Sequence, residues 1–337
     1  MRAVRYDGQH VVLETDAPEP TLAGGDALLS VRLAMPDATD AATARGDTGF
    51  RGVLSRRFVG VVKEPGADQT HRLKKGARVV AEVNLPDAAS DLARRGLGRH
   101  DPERRVLGLH EADGVLAERV AVPARALVEV PGELTDEQAL FAVPVGDAVH
   151  TARLLRLDSK SYVTVVGESL EALLMAQVMA RENHTVRLLA RDSDRLELCE
   201  RWGVRRRHTD EAGRRQDQDV VVVADATPES VSTALGMVRP RGTVVLRRAV
   251  LGVPGQEFDD ACREGLGMDL RDAIDREITM IGARCGPVRV GVQTIAGGGV
   301  DLSGLVSDRL ALADGVTAVR RVGEGDALAV VVEVGGR

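Results

Sequence analysis

The sequence predicts an α/β protein with two unlike halves: a compact, barrel-like β domain, then a doubly wound parallel sheet. Three observations carry this expectation. Short apolar runs separated by Gly, Pro and Asp fill the chain as far as Pro131. Beyond Pro131 apolar strands alternate with segments of helical period, the pattern of a parallel sheet covered by helices. The length, 337 residues, also exceeds what one core usually serves, so about two domains are expected.

Each element follows from local chemistry. The β-rich part contains Val11-Val12-Leu13, then Ala27 to Leu33, Phe58 to Val62 and Ala77 to Val83. Even spacing and frequent turns suit a small closed sheet. Leu134 to Leu140 starts a helix, with Thr135 as N-cap and Gln138 completing a capping box. Strands are expected at Val163–Val166, Val186–Leu189, Val220–Ala224, Thr243–Leu246 and Ile278–Ile281. Helices are expected at Glu171–Ala180, Asp194–Trp202 and Pro228–Val238. The tail from Pro287 onward closes in an apolar strand, Ala327–Val334. The expected division is 1–150, 151–286 and 287–337.

Composition narrows the classes. Aromatic residues make up 2% of the chain, so the cores must be built from Val, Leu, Ala and Ile. Lys and Arg number 45 against 51 Asp and Glu, a net charge of −6, which argues against a general nucleic-acid binder. Arginines concentrate in Arg205-Arg206-Arg207 and Arg214-Arg215, with Asp210 and Glu211 between them; a solvated surface is preferred there over a phosphate site. No apolar run approaches the roughly 18 residues of a membrane span. Cys199, Cys262 and Cys285 are odd in number and lack metal-ligand spacing, which fits a reducing compartment, and the start of the chain reads as a strand. A cytoplasmic location is expected.

Several stretches then point to a family. They are Gly49-Phe50-Arg51-Gly52-Val53-Leu54, Phe58-Val59-Gly60-Val61-Val62, Arg94-Arg95-Gly96-Leu97-Gly98-Arg99-His100, Val122-Pro123-Ala124-Arg125 and Gly282-Ala283-Arg284-Cys285-Gly286-Pro287. In this order, across nearly the whole chain, they resemble the medium-chain dehydrogenase/reductase superfamily, on its zinc alcohol dehydrogenase branch. The resemblance implies a GroES-like β-barrel domain and a Rossmann-like domain. It also implies a dinucleotide in the cleft between them, hydride transfer to or from a small alcohol or carbonyl, and a homodimer paired through the strand Ile278–Ile281. Fold alone does not carry activity.

The metal positions depart from the family. Those aligned with the catalytic zinc ligands are Asp37, Arg56, Arg57 and Val143. Zinc needs lone pairs, usually from three protein ligands, and a guanidinium has only donors. The four cysteine positions of the family's structural zinc lobe read Asp87, Ser90, Ala93 and Asp101. No zinc is expected. His100, Asp101, His110, Glu111 and Asp113 have acceptable types for a replacement site but match no known cage spacing, and loop polars are the preferred reading.

The dinucleotide fingerprint departs as well. Gly167-Glu168-Ser169-Leu170-Glu171-Ala172 stands where the family carries G-x-G-x-x-G, so Gly167 keeps the tight turn while Ser169 and Ala172 replace the other glycines. Glu168 and Glu171 add negative charge at a helix start that would attract phosphate, unless both face solvent. Arg191, at the end of the second strand, suits the 2′-phosphate of NADP over NAD, although Asp192 follows it.

Thr39 stands at the family's proton-relay hydroxyl. Asp37, Thr39, Arg56 and Arg57 are therefore expected at the floor of the cleft. Two explanations stay open: an arginine that polarises a substrate carbonyl, or an Asp–Arg pair that fills and neutralises the space left by a metal. Function is read first as a zinc-independent NAD(P)-dependent oxidoreductase acting on a small alcohol or carbonyl compound, and the arginine pair suggests that the ligand is anionic or strongly polar. The alternatives are an inactive descendant with a binding or scaffold role, and a non-redox enzyme that uses Asp37 as acid or base.

Overall fold

The computed structural model describes residues 1–66, 73–155, 160–182, 184–213, 215–247 and 270–335. Cys262 and Arg214 lie outside the described residues.

The first half is built on Asp26–Ala34, the longest strand of its sheet. One flank pairs with Phe58–Glu64, which leads on to Arg78–Ala81 and Leu127–Glu129. Arg119–Pro123 also pairs with Asp26–Ala34. The chain's last strand, Val330–Glu333, lies antiparallel to the end of Asp26–Ala34, with Val332 opposite Ala34. The tail thus returns to the first sheet. Alternation explains the burial: along Asp26–Ala34, Ala27, Leu29 and Val31 are fully buried and their neighbours less so.

The second half is a six-stranded parallel sheet ordered Arg205–His208, Thr185–Ala190, Tyr162–Val166, Gln218–Val223, Val238–Leu246 and Thr279–Gly282. In chain order this is 3-2-1-4-5-6, the doubly wound dinucleotide-binding topology. The expected strands and helices are all present with shifted ends. Asp194–Trp202 divides into an α-helix, Ser193–Leu198, and a 3₁₀ turn, Cys199–Trp202, closed by Gly203 in the left-handed region. Arg205–Arg207, expected as solvated surface, is the outer strand. Its side chains are exposed while its backbone pairs with Thr185–Ala190. Thr279–Gly282 is the other edge.

Helix Asp136–Leu140 carries the expected Thr135–Gln138 capping box. The longer helix Ala142–Leu154, almost wholly buried, runs between the halves. It packs backbone to backbone on Val288–Ala296: a Cβ on Gly291 would stand 1.8 Å from the Ala142 carbonyl oxygen. Only glycine permits that approach, and it brings residue 286 up to Asp147. Among the described residues, no helix is long and apolar enough to cross a membrane.

Candidate functional site

The floor of the cleft is an ion-pair network. Asp37 caps helix Ala38–Ala44 in an extended conformation, its carboxylate accepting from the Thr39 amide at 2.8 Å. Asp40, at the third helical position, accepts the Asp37 amide at 2.8 Å and so completes a capping box. Arg56 and Arg57 lie in the irregular link between Gly52–Val53 and Phe58–Glu64, so adjacent side chains can both face Asp37. Ser55 ahead of them adopts φ +68°, rare for a side chain other than glycine, and its amide donates to Asp40 Oδ1 at 2.7 Å.

Arg56 Nη2 stands 3.4 Å from Asp37 Oδ1 and 3.3 Å from Asp40 Oδ1. Arg57 Nη2 stands 3.2 Å from Asp37 Oδ2 and 2.6 Å from Glu171 Oε1. Arg56 is 1% exposed and Asp40 is fully buried. The structure therefore brings Asp37, Arg56 and Arg57 together. Thr39 is fully buried behind them and gives the floor its backbone N–H.

These charges set one another's ionisation. Burial alone would raise the Asp37 carboxyl, but Arg56, Arg57 and two backbone amides hold it below the ordinary carboxylate value. Burial raises Asp40 to about 6, with Arg56 opposing and Asp37 assisting. Burial works against the Arg57 cation, yet Asp37 and Glu171 hold it firmly protonated.

The cavity beside this network measures about 30 Å³, room for a water or two. Arg56, Arg57, Val143, Asp147, Ser169, Glu171 and Arg247 line it. Asp147, whose carboxyl is raised by burial, accepts the Gly286 amide at 2.6 Å and lies 3.5 Å from Arg247 Nη2. Arg56 Nε and Nη1 and Arg57 Nε are buried with no hydrogen-bond acceptor among the described residues.

The donor set does not fit a catalytic zinc. Arg56 and Arg57 offer no lone pair, Val143 is apolar, and both Asp37 oxygens already face guanidiniums. Nor do His100, Asp101, His110, Glu111 and Asp113 converge: among the described residues no group of three or more His, Cys, Asp or Glu could hold a metal. The former lobe is closed by hydrogen bonds. Ser90 caps Asp91–Arg94, accepting from the Ala93 amide at 3.0 Å. Asp87 accepts from the Ala89 amide and Asp101 from the Glu103 amide. Arg99 Nη1 ties the lobe to the second half through the Cys285 carbonyl at 2.6 Å.

The dinucleotide cradle keeps its turn. Gly167 has φ +138°, a conformation that favours glycine, and a Cβ there would also sit tightly, 3.0 Å from Ala224 Cβ. Ser169 caps helix Leu170–Arg181 by accepting from the Ala172 amide. The two glutamates do not face solvent idly. Glu171 reaches across the cleft to Arg57, and Glu168 accepts from the amides of Arg191 and Asp192 at 2.9 and 3.1 Å. The tight turn is kept, but at the helix start Ser169 already takes the Ala172 amide and two carboxylates add negative charge, which opposes an anionic ligand there. Arg191 is 78% exposed, and Asp192 is engaged as the cap of Ser193–Leu198.

Sequence reasoning passed over Asp40, Asp147 and Arg247. Asp40 had a signal, the Asp37-x-x-Asp40 capping spacing. Asp147 and Arg247 are 100 residues apart and share no motif.

Residues 23–132 match the alcohol dehydrogenase GroES-like domain family. L-threonine 3-dehydrogenase of Streptomyces coelicolor is 31% identical over 265 residues, 72% of this chain and 74% of that enzyme. The fold is shared with a putative zinc-binding dehydrogenase from Sinorhizobium meliloti 1021 bound to NADP, at TM-score 0.84 and 22% identity over 98% of both chains. It is shared equally with an alcohol dehydrogenase from Thermus sp. ATN1, at TM-score 0.84 and 23% identity over 99% of this chain and 100% of that one. With its parallel 3-2-1-4-5-6 sheet, its GroES-like half and these relatives, the chain belongs to the medium-chain dehydrogenase/reductase superfamily, on its alcohol dehydrogenase-like branch.

Proposed function

We propose that the protein is a zinc-independent NAD(P)-dependent oxidoreductase for a small carbonyl compound or alcohol, with Arg56 and Arg57 in place of the metal. One observation carries the reading: Arg56 Nε and Nη1 and Arg57 Nε are buried N–H donors without acceptors, on residues that line the cavity. A buried donor without a partner costs about 1–3 kcal/mol. A substrate oxygen that gains negative charge would complete the set, and fixed cations in a dry site stabilise such an oxygen strongly. Asp37 orients both guanidiniums, and Thr39 positions Asp37 through its amide.

Gly167, Ser169 and Ala172 would hold the pyrophosphate, and Arg191 would take the 2′-phosphate that selects NADP. A nicotinamide held there would supply or accept the hydride. Glu171 must leave Arg57 for the cleft to admit ligand. A homodimer joined at Thr279–Gly282, an edge strand among the described residues, belongs to the same proposal.

One observation favours a second reading, an inactive descendant with a binding or scaffold role: the Glu171–Arg57 pair already closes the cleft. The two are separated by titrating the protein with NADPH and NADH and following nicotinamide fluorescence. Saturable NADPH binding is expected, tightened about tenfold in Glu171→Gln, which is roughly 1.4 kcal/mol. No binding by either form would sink the redox reading. With cofactor bound, Arg57→Ala should slow metal-free carbonyl reduction at least a hundredfold, and an unchanged rate would remove the arginine from the chemistry.

A further inference from the structure

The parallel sheet has a second polar end, opposite the cradle. Tyr162, Thr185, Arg205 and Gln218 each begin a strand, whereas Gly167 follows the end of one. The register pairs Arg187 with Arg205 and Leu189 with Arg207. Side chains alternate along a strand, so Arg187, Arg205 and Arg207 share one face of two neighbouring strands.

This grouping is electrostatically unfavourable as it stands. Like charges on adjacent strands repel. Arg206, on the opposite face, is paired with Glu200. Among the described residues, Arg187, Arg205 and Arg207 form no ion pair. Arg187 is held by a neutral group: its Nε and Nη2 donate to Thr164 Oγ1 at 3.3 and 3.1 Å. Thr164 donates to Gln218 Oε1 at 2.7 Å, and Gln218 Nε2 to Asp217 Oδ1 at 2.7 Å. Thr164 is fully buried and Gln218 nearly so. The chain of hydrogen bonds fixes the guanidinium without cancelling its charge. Burial, then the Arg207 and Arg205 cations, push Arg187 below its ordinary value, with Asp217 opposing.

A cavity of about 370 Å³ opens at this end of the sheet, lined by Arg187, Arg205 and Arg207 with Thr185, Gln218 and Tyr162, and by Arg206, whose guanidinium is already held by Glu200. That volume falls within the usual range for small-molecule sites. Tyr162 is 53% exposed and offers a ring face at the rim. Guanidinium forks match phosphate oxygens in pairs.

We propose that Arg187, Arg205 and Arg207 form a binding site for a small phosphorylated anion at the strand-start end of the Rossmann-like sheet, separate from the cleft. A soluble phosphate compound is the occupant, since the net charge of −6 opposes a nucleic-acid strand. This site stands independently of the proposed redox activity.

The test is calorimetric titration of the full chain with sodium pyrophosphate, and with sodium sulfate at matched ionic strength. The variant Arg205→Ser/Arg207→Ser changes exposed residues of an edge strand and should keep the fold. Saturable pyrophosphate binding is expected, at least tenfold tighter than sulfate and weakened at least tenfold in the double variant. Without ligand and at low salt, that variant should melt no lower than the parent, because a repulsion is removed. Equal affinity in parent and variant would place the ligand elsewhere, as at the Gly167 turn, and overturn the proposal. So would the absence of saturation at millimolar pyrophosphate, or binding only of a long single strand of nucleic acid.

Discussion

The cleft floor and the lobe between Asn84–Leu85 and Arg105–Val106 are the two places where the alcohol dehydrogenase pattern puts metal, and they have been refilled differently. At the floor, Arg56 and Arg57 bring two buried positive charges, met by Asp37, Asp40 and Glu171. In the lobe, Asp87, Ser90 and Asp101 accept from nearby backbone amides, and Ala93 contributes an amide of its own. A structural metal only joins pieces of chain, so caps and turns can replace it. At the floor, apolar filling was available, as Val143 shows, and costs less than buried ions. Cations were kept where the family performs chemistry and not where it needs only a clasp.

The largest effect should come from removing a floor cation. Arg56→Met fills a similar volume but leaves Asp37 and Asp40 without their shared partner. Breaking a buried ion pair costs about 3–5 kcal/mol. Urea unfolding should show a loss of that order with an unchanged slope. A loss below about 1 kcal/mol, the scale of an exposed pair, would mean that the floor is wetter and weaker than its geometry, and the contrast with the lobe would collapse.

A second effect is pH-dependent and belongs to the floor alone. Asp40 is raised to about 6 by burial, above the ordinary 3.8. The folded state therefore binds this proton more tightly than the unfolded chain. Stability from Asp40 is highest below about pH 4 and falls as pH rises through 6. Two units correspond to about 3 kcal/mol. Asp37, lowered, has the opposite sign: its contribution is present above its unfolded value and is lost as pH falls. Asp37 is common to both proteins in a comparison with Asp40→Asn, so it largely drops out. The stability advantage of the parent over Asp40→Asn should be greatest near pH 4 and shrink by about 2–3 kcal/mol toward pH 7. A constant advantage across that range would place the Asp40 proton in solvent-like surroundings.

How much of this was legible depended on distance along the chain. The Thr135–Gln138 box is a four-residue pattern, and it appears as expected. The parallel strands were visible because Val163–Val166 and Val220–Ala224 are buried on both faces and, Thr164 apart, wholly apolar. Arg205–His208 was not, since an outer strand whose arginines are exposed on both faces carries no apolar signature. At the site, alignment brought Asp37, Arg56 and Arg57 to one floor, and they meet there. The direction of Glu171 was hidden, because its partner Arg57 lies 114 residues away on the other half. Asp147 and Arg247 are hidden for the same reason: no local period encodes a pair that forms only when the halves close.

The smallest effect concerns the lobe. Ser90→Ala removes the side-chain cap of Asp91–Arg94, leaving the Ala93 amide to water. The half-buried setting puts the cost at about 1 kcal/mol, within the usual range for a lost N-cap. NADPH affinity and carbonyl reduction should be unchanged, since Ser90 lies outside the cavity beside Arg57. The informative failure is a change in cofactor affinity. Arg99 hydrogen-bonds the Cys285 carbonyl from the far side of the lobe, and Gly286 next to it donates to Asp147. A lobe loosened at Ser90 could reach the floor by that route. If Ser90→Ala shifts NADPH binding by more than about threefold, roughly 0.6 kcal/mol, the lobe is mechanically coupled to the floor. The two regions would then act as one unit in positioning the cleft, despite their different chemistries.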